Sequence, residues 1–227
     1  VHEQLLQFAT QVAQLNAGDA QFTAEVATFA RDRFLVFLED HEGDARLQVF
    51  IGSFLRQFGD YDGAVVHLTK AVELSPKKQL ILFELGTALM GKGDMVGALE
   101  VYKQAYDVAP TYEFSQMFYV VGALRVKDLA LADSILERHH GTVIVDNVTL
   151  LQGYLETKML DRAVLVAELS VTNDPRNLQK LQQLSGVYIE AGRRADAISV
   201  LERAIELDPS FKEQGTQFIE GIRQGTI

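Results

Sequence analysis

Apolar positions recur with a helical period through most of this chain. In "FTAEVATFARDRFLVFLED", residues 22–40, apolar side chains at 22, 26, 29, 30, 34, 37 and 38 form one long stripe. Their spacing is that of an amphipathic helix. Residues 1–15 carry a similar face through Leu5, Phe8, Ala9, Val12 and Leu15, so 1–44 reads as a helical hairpin capping whatever follows. At the far end, "SFKEQGTQFIEGIRQG" gives a more polar closing helix within 212–227. A polar last helix is what an array needs where stacking stops.

Between these ends the pattern repeats in blocks. Pro76 and Pro110 are 34 residues apart, as are Pro175 and Pro209, and these four are all the prolines in the chain. Twelve residues before each stand Ala64, Ala98, Ala163 and Ala197; five before stand Ala71, Ala105, Ser170 and Ala204. A turn leads into each alanine of the first set: "FGDYDGA" at 58–64, "KGDMVGA" at 92–98, "MLDRA" at 159–163 and "AGRRADA" at 191–197. Gly59, Gly93 and Gly192 suit the left-handed backbone that ends a helix. Asp60 and Asp94 suit the cap of the next one. Alanine lets two antiparallel helices come close, where a larger side chain would overpack the contact. The residue before proline avoids helical angles, so Ser75-Pro76, Asp174-Pro175 and Asp208-Pro209 each stop a helix.

This pattern resembles the tetratricopeptide repeat, a 34-residue helix–turn–helix unit. Unit 45–78 carries Gly52, Leu55, Gly59, Tyr61, Ala64, Leu68, Ala71 and Pro76 at the family's marker places. Unit 79–112 carries Leu82, Leu85, Gly86, Leu89, Gly93, Ala98, Tyr102, Ala105 and Pro110, and unit 178–211 carries Leu181, Leu184, Tyr188, Gly192, Ala197, Leu201, Ala204 and Pro209. Unit 144–177 keeps Leu150, Tyr154, Ala163 and Pro175 but loses the turn glycine. Unit 113–143 is three residues short and degenerate, with Lys127-Asp128 at the turn and "HHGTVIVDN" at its close, which predicts a local change of superhelical twist. The family's usual tryptophan is missing, because the chain has none. The resemblance implies an all-α, right-handed α-solenoid of about thirteen helices: a cap at 1–44, an array at 45–211 and a closing helix at 212–227.

In proteins of this family the first helices of successive units line a concave wall that binds segments of other proteins. Carried over by position, that wall holds Arg46, Val49, Phe50, Ser53 and Arg56, then Leu80, Phe83, Glu84, Thr87 and Met90. Phe114, Met117, Phe118, Val121, Leu124 and Arg125 follow. The later units, with Thr149, Gln152, Leu155, Glu156, Gln179, Gln182, Gln183 and Glu190, turn polar and acidic. Apolar anchors flanked by Arg46, Arg56 and Arg125 predict a protein or peptide partner that brings apolar side chains and a carboxylate. The paired Lys and Asn with which one family variant clamps a terminal carboxylate are absent, since Val49, Ser53 and Glu84 stand there.

Composition narrows the classes. With 48% hydrophobic residues in 227, the chain is ordered protein. A net charge of −10 is the wrong sign for a phosphate-backbone partner, so no nucleic acid is expected. The absence of cysteine removes disulfides, thiolate metal sites and cysteine nucleophiles. No apolar run approaches the roughly 20 residues that cross a bilayer. The first residues are amphipathic and lack the basic start of a signal peptide, and the chain, which begins at Val1, is expected to be a bacterial-looking piece of a longer protein whose compartment depends on what precedes it.

Candidate chemistry changes little. His139 and His140 are adjacent, and on a helix they point about 100° apart, away from a shared ion. His41 in "EDHEGDA" lacks the HExxH spacing. "GKGD" at 91–94 is a turn and not a phosphate loop, and the SxxK at Ser75–Lys78 has no companion motifs. No enzyme, metal or cofactor is expected. Two alternatives to an interaction module stay open. "YDGAVVHLTKAVELSPKKQLILFELGTALMGKGDMVGALEVYKQAYDVAPTY" is similar to the tail of bacterial O-antigen ligase or polymerase-like membrane proteins, which would make the chain a noncatalytic extracytoplasmic domain. The chain could instead be a homo-oligomerising structural spacer.

Overall fold

The computed structural model describes residues 2–15 and 18–226. Among them are thirteen α-helices and no strand: α1 (His2–Leu15), α2 (Ala20–Glu39), α3 (Ala45–Gln57), α4 (Tyr61–Leu74), α5 (Gln79–Lys92), α6 (Met95–Val108), α7 (Glu113–Arg125), α8 (Leu129–His140), α9 (Val148–Glu156), α10 (Leu160–Asn173), α11 (Leu178–Glu190), α12 (Arg194–Leu207) and α13 (Lys212–Gln224). A 3₁₀ turn at Pro209–Phe211 precedes α13. The helices stop where the prolines require, with Ser75, Ala109, Asp174 and Asp208 each the first residue outside α4, α6, α10 and α12. The chain divides into two compact units, one ending at Gly122 and one starting at Ala123.

In the first unit, α1 packs on α2 and both pack on α3; α3 pairs with α4, α4 with α5, and α5 with α6. Leu68 of α4 and Ala64 meet α3 at Gly52, where a Cβ would fall 2.6 Å from Leu68 Cγ. Gly86 of α5 faces the ring of Tyr102 on α6 in the same way, and a Cβ there would overlap that ring. In the second unit, α9, α10, α11, α12 and α13 pair in succession. Ala64, Ala98, Ala163 and Ala197 are all fully buried, so four alanines at one repeat position do one job.

The turns inside the hairpins share one hydrogen-bond pattern. The N–H of Asp60 donates to Leu55 O, that of Asp94 to Leu89 O, that of Asp128 to Ala123 O, that of Met159 to Tyr154 O and that of Arg193 to Tyr188 O. Each spans five residues and closes the end of a helix, with the residue just before the donor left-handed. Gly59, Gly93 and Gly192 supply that conformation at φ 81°, 92° and 73°, while Lys127 and Lys158 supply it at φ 63° and 59°. Losing the glycine therefore leaves the turn intact and places a lysine in a conformation that costs about 1 kcal/mol more.

One expectation changes. The large apolar residues of α2 are not all on its packed side: Ala27, Ala30, Phe34 and Leu38 are buried, while Phe22 and Phe29 are 40% and 56% exposed. On α1, Leu6, Ala9 and Ala13 face inward, and Phe8 and Leu15 are exposed. Close helix packing selects the small residues, which a stripe of large ones does not reveal.

Candidate partner-binding site

The expected groove residues separate into three groups. Met117 is 1% exposed and Val121 7%, so both are interior residues with almost no surface to offer a ligand. Phe50 is half-buried against the core formed by α1 to α5. Thr87 and Met90 are also half-buried, and they position a buried hydroxyl. Thr87 Oγ1 donates to Phe83 O at 2.8 Å and lies 3.2 Å from Tyr102 Oη, which in turn reaches Met90 Sδ at 3.4 Å.

The three arginines are already paired. Arg46 meets Glu3 of α1 at 2.5 Å. Arg56 donates to Glu84 at 3.1 Å, and the same carboxylate accepts from Ser53 Oγ at 2.9 Å. Arg125 pairs with Glu156, which also accepts from Gln152. These partners lie 28 to 43 residues away in sequence, so no local pattern points to them. Each of the three arginines expected to flank the groove thus has a carboxylate of the chain beside it.

What remains open is apolar. Phe83 stacks on Phe118, with ring centroids 4.7 Å apart and planes 17° from parallel, and Phe118 leans on Tyr102 at 5.2 Å. Tyr112 stacks on Phe114 at 5.5 Å. With Gln79, Leu80, Glu84 and Thr87 these rings line a recess of about 600 Å³ on α5 and the start of α7. Leu80 is 68% exposed, Phe114 56% and Tyr112 48%, while Phe83, 8% exposed, is a buried ring at the floor of the recess. Tyr112 has no place among the first-helix positions of the repeat. It belongs to the turn after Pro110, and the aromatic pair in "PTYEF" is the signal that would have marked it.

Several polar groups of the second unit are held by partners within it. Arg162 grips both carboxylate oxygens of Asp133 and lies over the Tyr154 ring, 5.7 Å from its centroid. Tyr188 donates to Glu168 at 2.7 Å under the guanidinium of Arg193. Burial, then that hydrogen bond to a carboxylate, pushes the Tyr188 phenol up to about 12. Lys158 reaches Glu190 at 3.4 Å. Among the described residues no group of three or more histidine, aspartate or glutamate side chains is placed to share a metal ion.

Comparison with known proteins places these hairpins. Residues 51–113 and 181–211 match models of the tetratricopeptide repeat. The chain contains tetratricopeptide repeats. No curated protein sequence matches it, and the similarity to O-antigen ligase or polymerase-like proteins is not shown. Solved structures similar to this tetratricopeptide-repeat chain include yeast Tom70, at 16% identity and TM-score 0.57 over 98% of this chain and 47% of that one. A tetratricopeptide repeat protein from Parabacteroides merdae matches at 15% identity and TM-score 0.55, covering 97% of this chain and 88% of its own. A chain of the APC/C hetero-tetramer Cut9–Hcn1 matches at 12% and 0.53, covering 97% and 46%. At these identities the likeness is one of fold. Among the described residues no helix is long and apolar enough to cross a membrane.

Proposed function

We propose that the chain is a protein-interaction module, and that its first unit receives an apolar side chain from an extended or helical segment of a partner protein. The observation that carries this reading is the recess between Leu80 and Phe114: four aromatic rings and an aliphatic side chain around an open volume, with neighbouring Glu84 and Thr87 already bonded. Exposed apolar surface of this kind on a folded unit marks a contact site. Ring faces held by stacking on one another present a preformed surface, which lowers the entropic cost of binding. Because Glu84 holds Arg56, the site asks for an aromatic or large aliphatic residue and does not ask for a carboxylate. The role is one of binding, without a cofactor and without catalysis.

A random peptide library displayed on phage and selected on the chain tests the proposal. Enriched peptides should share an aromatic or large aliphatic residue, and should lose about 10- to 100-fold in affinity for a Leu80→Glu, Phe114→Glu variant, the range for losing one buried apolar side chain. Both positions are exposed, so the variant should keep its helical circular dichroism. Selection of peptides that bind wild type and variant equally would overturn it.

A further inference from the structure

The exposed side of α2 carries a second apolar stripe. Phe22, Phe29 and Val36 are 40%, 56% and 66% exposed. Seven residues make nearly two helical turns, so the three stand on one line about 21 Å long. Charges flank that line. Glu25 accepts a hydrogen bond from Gln21 Nε2 at 3.1 Å, and the Arg33 guanidinium lies over the Phe29 ring, 5.5 Å from its centroid. Among the described residues neither Glu25 nor Arg33 forms an ion pair, whereas the neighbouring Asp32 is paired with Arg31 at 2.8 Å.

We infer that this face pairs with the same face of a second copy, the two α2 helices running antiparallel about a two-fold axis at Phe29. Centred there, the pairing sets Phe29 against Phe29, and Phe22 against Val36 of the second copy. It also sets Glu25 against Arg33 of the second copy, twice over by symmetry. One patch thus supplies both halves of its own complement, as a two-fold contact requires. The parallel alternative sets Glu25 against Glu25 and Arg33 against Arg33, and like charges facing each other are destabilising. The arrangement buries six apolar side chains and gives four charged groups, Glu25 and Arg33 of each copy, their counter-ions. It leaves the recess on α5 and α7 free, and it does not depend on how that recess is used.

The chain has no cysteine, which makes the register directly readable. In the 227-residue chain, Phe29→Cys should cross-link to itself with a short bis-maleimide. Phe22→Cys alone should not, while a mixture of Phe22→Cys and Val36→Cys chains should give the mixed dimer. Sedimentation equilibrium supplies a second readout without cysteines. Glu25→Arg and Arg33→Glu should each weaken self-association by about tenfold, and the double exchange should restore it. Monomers at every concentration would overturn the inference, and so would the case in which a different protein or a preceding segment covers α2. Cross-linking of Phe22→Cys as strong as that of Phe29→Cys would overturn the antiparallel register, as would a double exchange without recovery.

Discussion

Arg56 of α3 and Glu84 of α5 lie 3.1 Å apart and tie one repeat to the next at the edge of the recess. The pair is about one-quarter to one-third exposed, so its contribution to stability is modest. Its larger effect is to cancel the positive charge nearest the recess. Replacing Glu84 by Gln should lower the thermal midpoint by only a few degrees, corresponding to about 1 kcal/mol. The same change should raise the relative affinity for a selected peptide that carries an added carboxylate. Thermal denaturation checks the first outcome, and titration with a peptide pair differing by one Asp checks the second.

Lys127 and Lys158 occupy left-handed backbone positions that glycine fills in the other hairpin turns. Lys127→Gly and Lys158→Gly should each stabilise the chain by about 0.5–1 kcal/mol, while Gly93→Ala should cost about 1 kcal/mol or more. Equilibrium unfolding in urea measures all three. A loss of stability in the lysine variants would mean that the turn needs the lysine side chain.

Gly86 is required by contact and not by backbone angle. Its missing Cβ is the space taken by Tyr102. Gly86→Ala should destabilise by about 1–3 kcal/mol, and Tyr102→Leu in the same chain should recover part of that loss. A double-mutant cycle by thermal unfolding reads the coupling.

The caps differ between turns. Asp60, Asp94 and Asp128 accept from the N–H groups of Gly63, Gly97 and Leu131, but Met159 and Arg193 make no such bond. Asp94→Ala should cost about 1 kcal/mol, and Met159→Asp should add about 0.5–1 kcal/mol. Denaturant unfolding checks both.

His67 gives the fold one pH dependence. Its Nδ1–H donates to Gln48 Oε1 at 2.8 Å, and Gln48 donates in turn to Glu42 O at 3.0 Å. Burial lowers the imidazole from its ordinary value of 6.5, against a smaller upward pull from Asp60. A base with a lowered folded value takes up its proton more readily when unfolded. Its contribution is therefore complete above 6.5 and is lost as the pH falls from there toward the folded value. The thermal midpoint of wild type should fall faster than that of His67→Gln below this pH, and parallel curves would contradict the assignment.

The repeats were legible because their signals are local. Proline, alanine and the Gly-Asp turn each act within a few residues, and they located the helix ends at Leu74, Val108, Asn173 and Leu207. The site was legible only in part. Leu80 and Phe114 follow from repeat position and are exposed, but Phe83, Met117 and Val121 follow from it as well and are buried. The partners of Arg46, Arg56 and Arg125 lie on other helices, so charge complementarity across helices could not be counted from one segment. On α2 the stripe of apolar positions took in Phe22 and Phe29, which are exposed, and passed over Ala27, which is buried.

The most direct test of the account is calorimetric titration of a library-selected peptide against two variants of the chain. One carries Leu80→Ala with Phe114→Ala, and the other carries Arg46→Gln with Arg125→Gln. The account predicts that the first loses about 10- to 100-fold in affinity and the second binds like wild type. Unchanged binding by the first, with the loss falling on the second, would show that a charged wall and not the aromatic recess holds the partner.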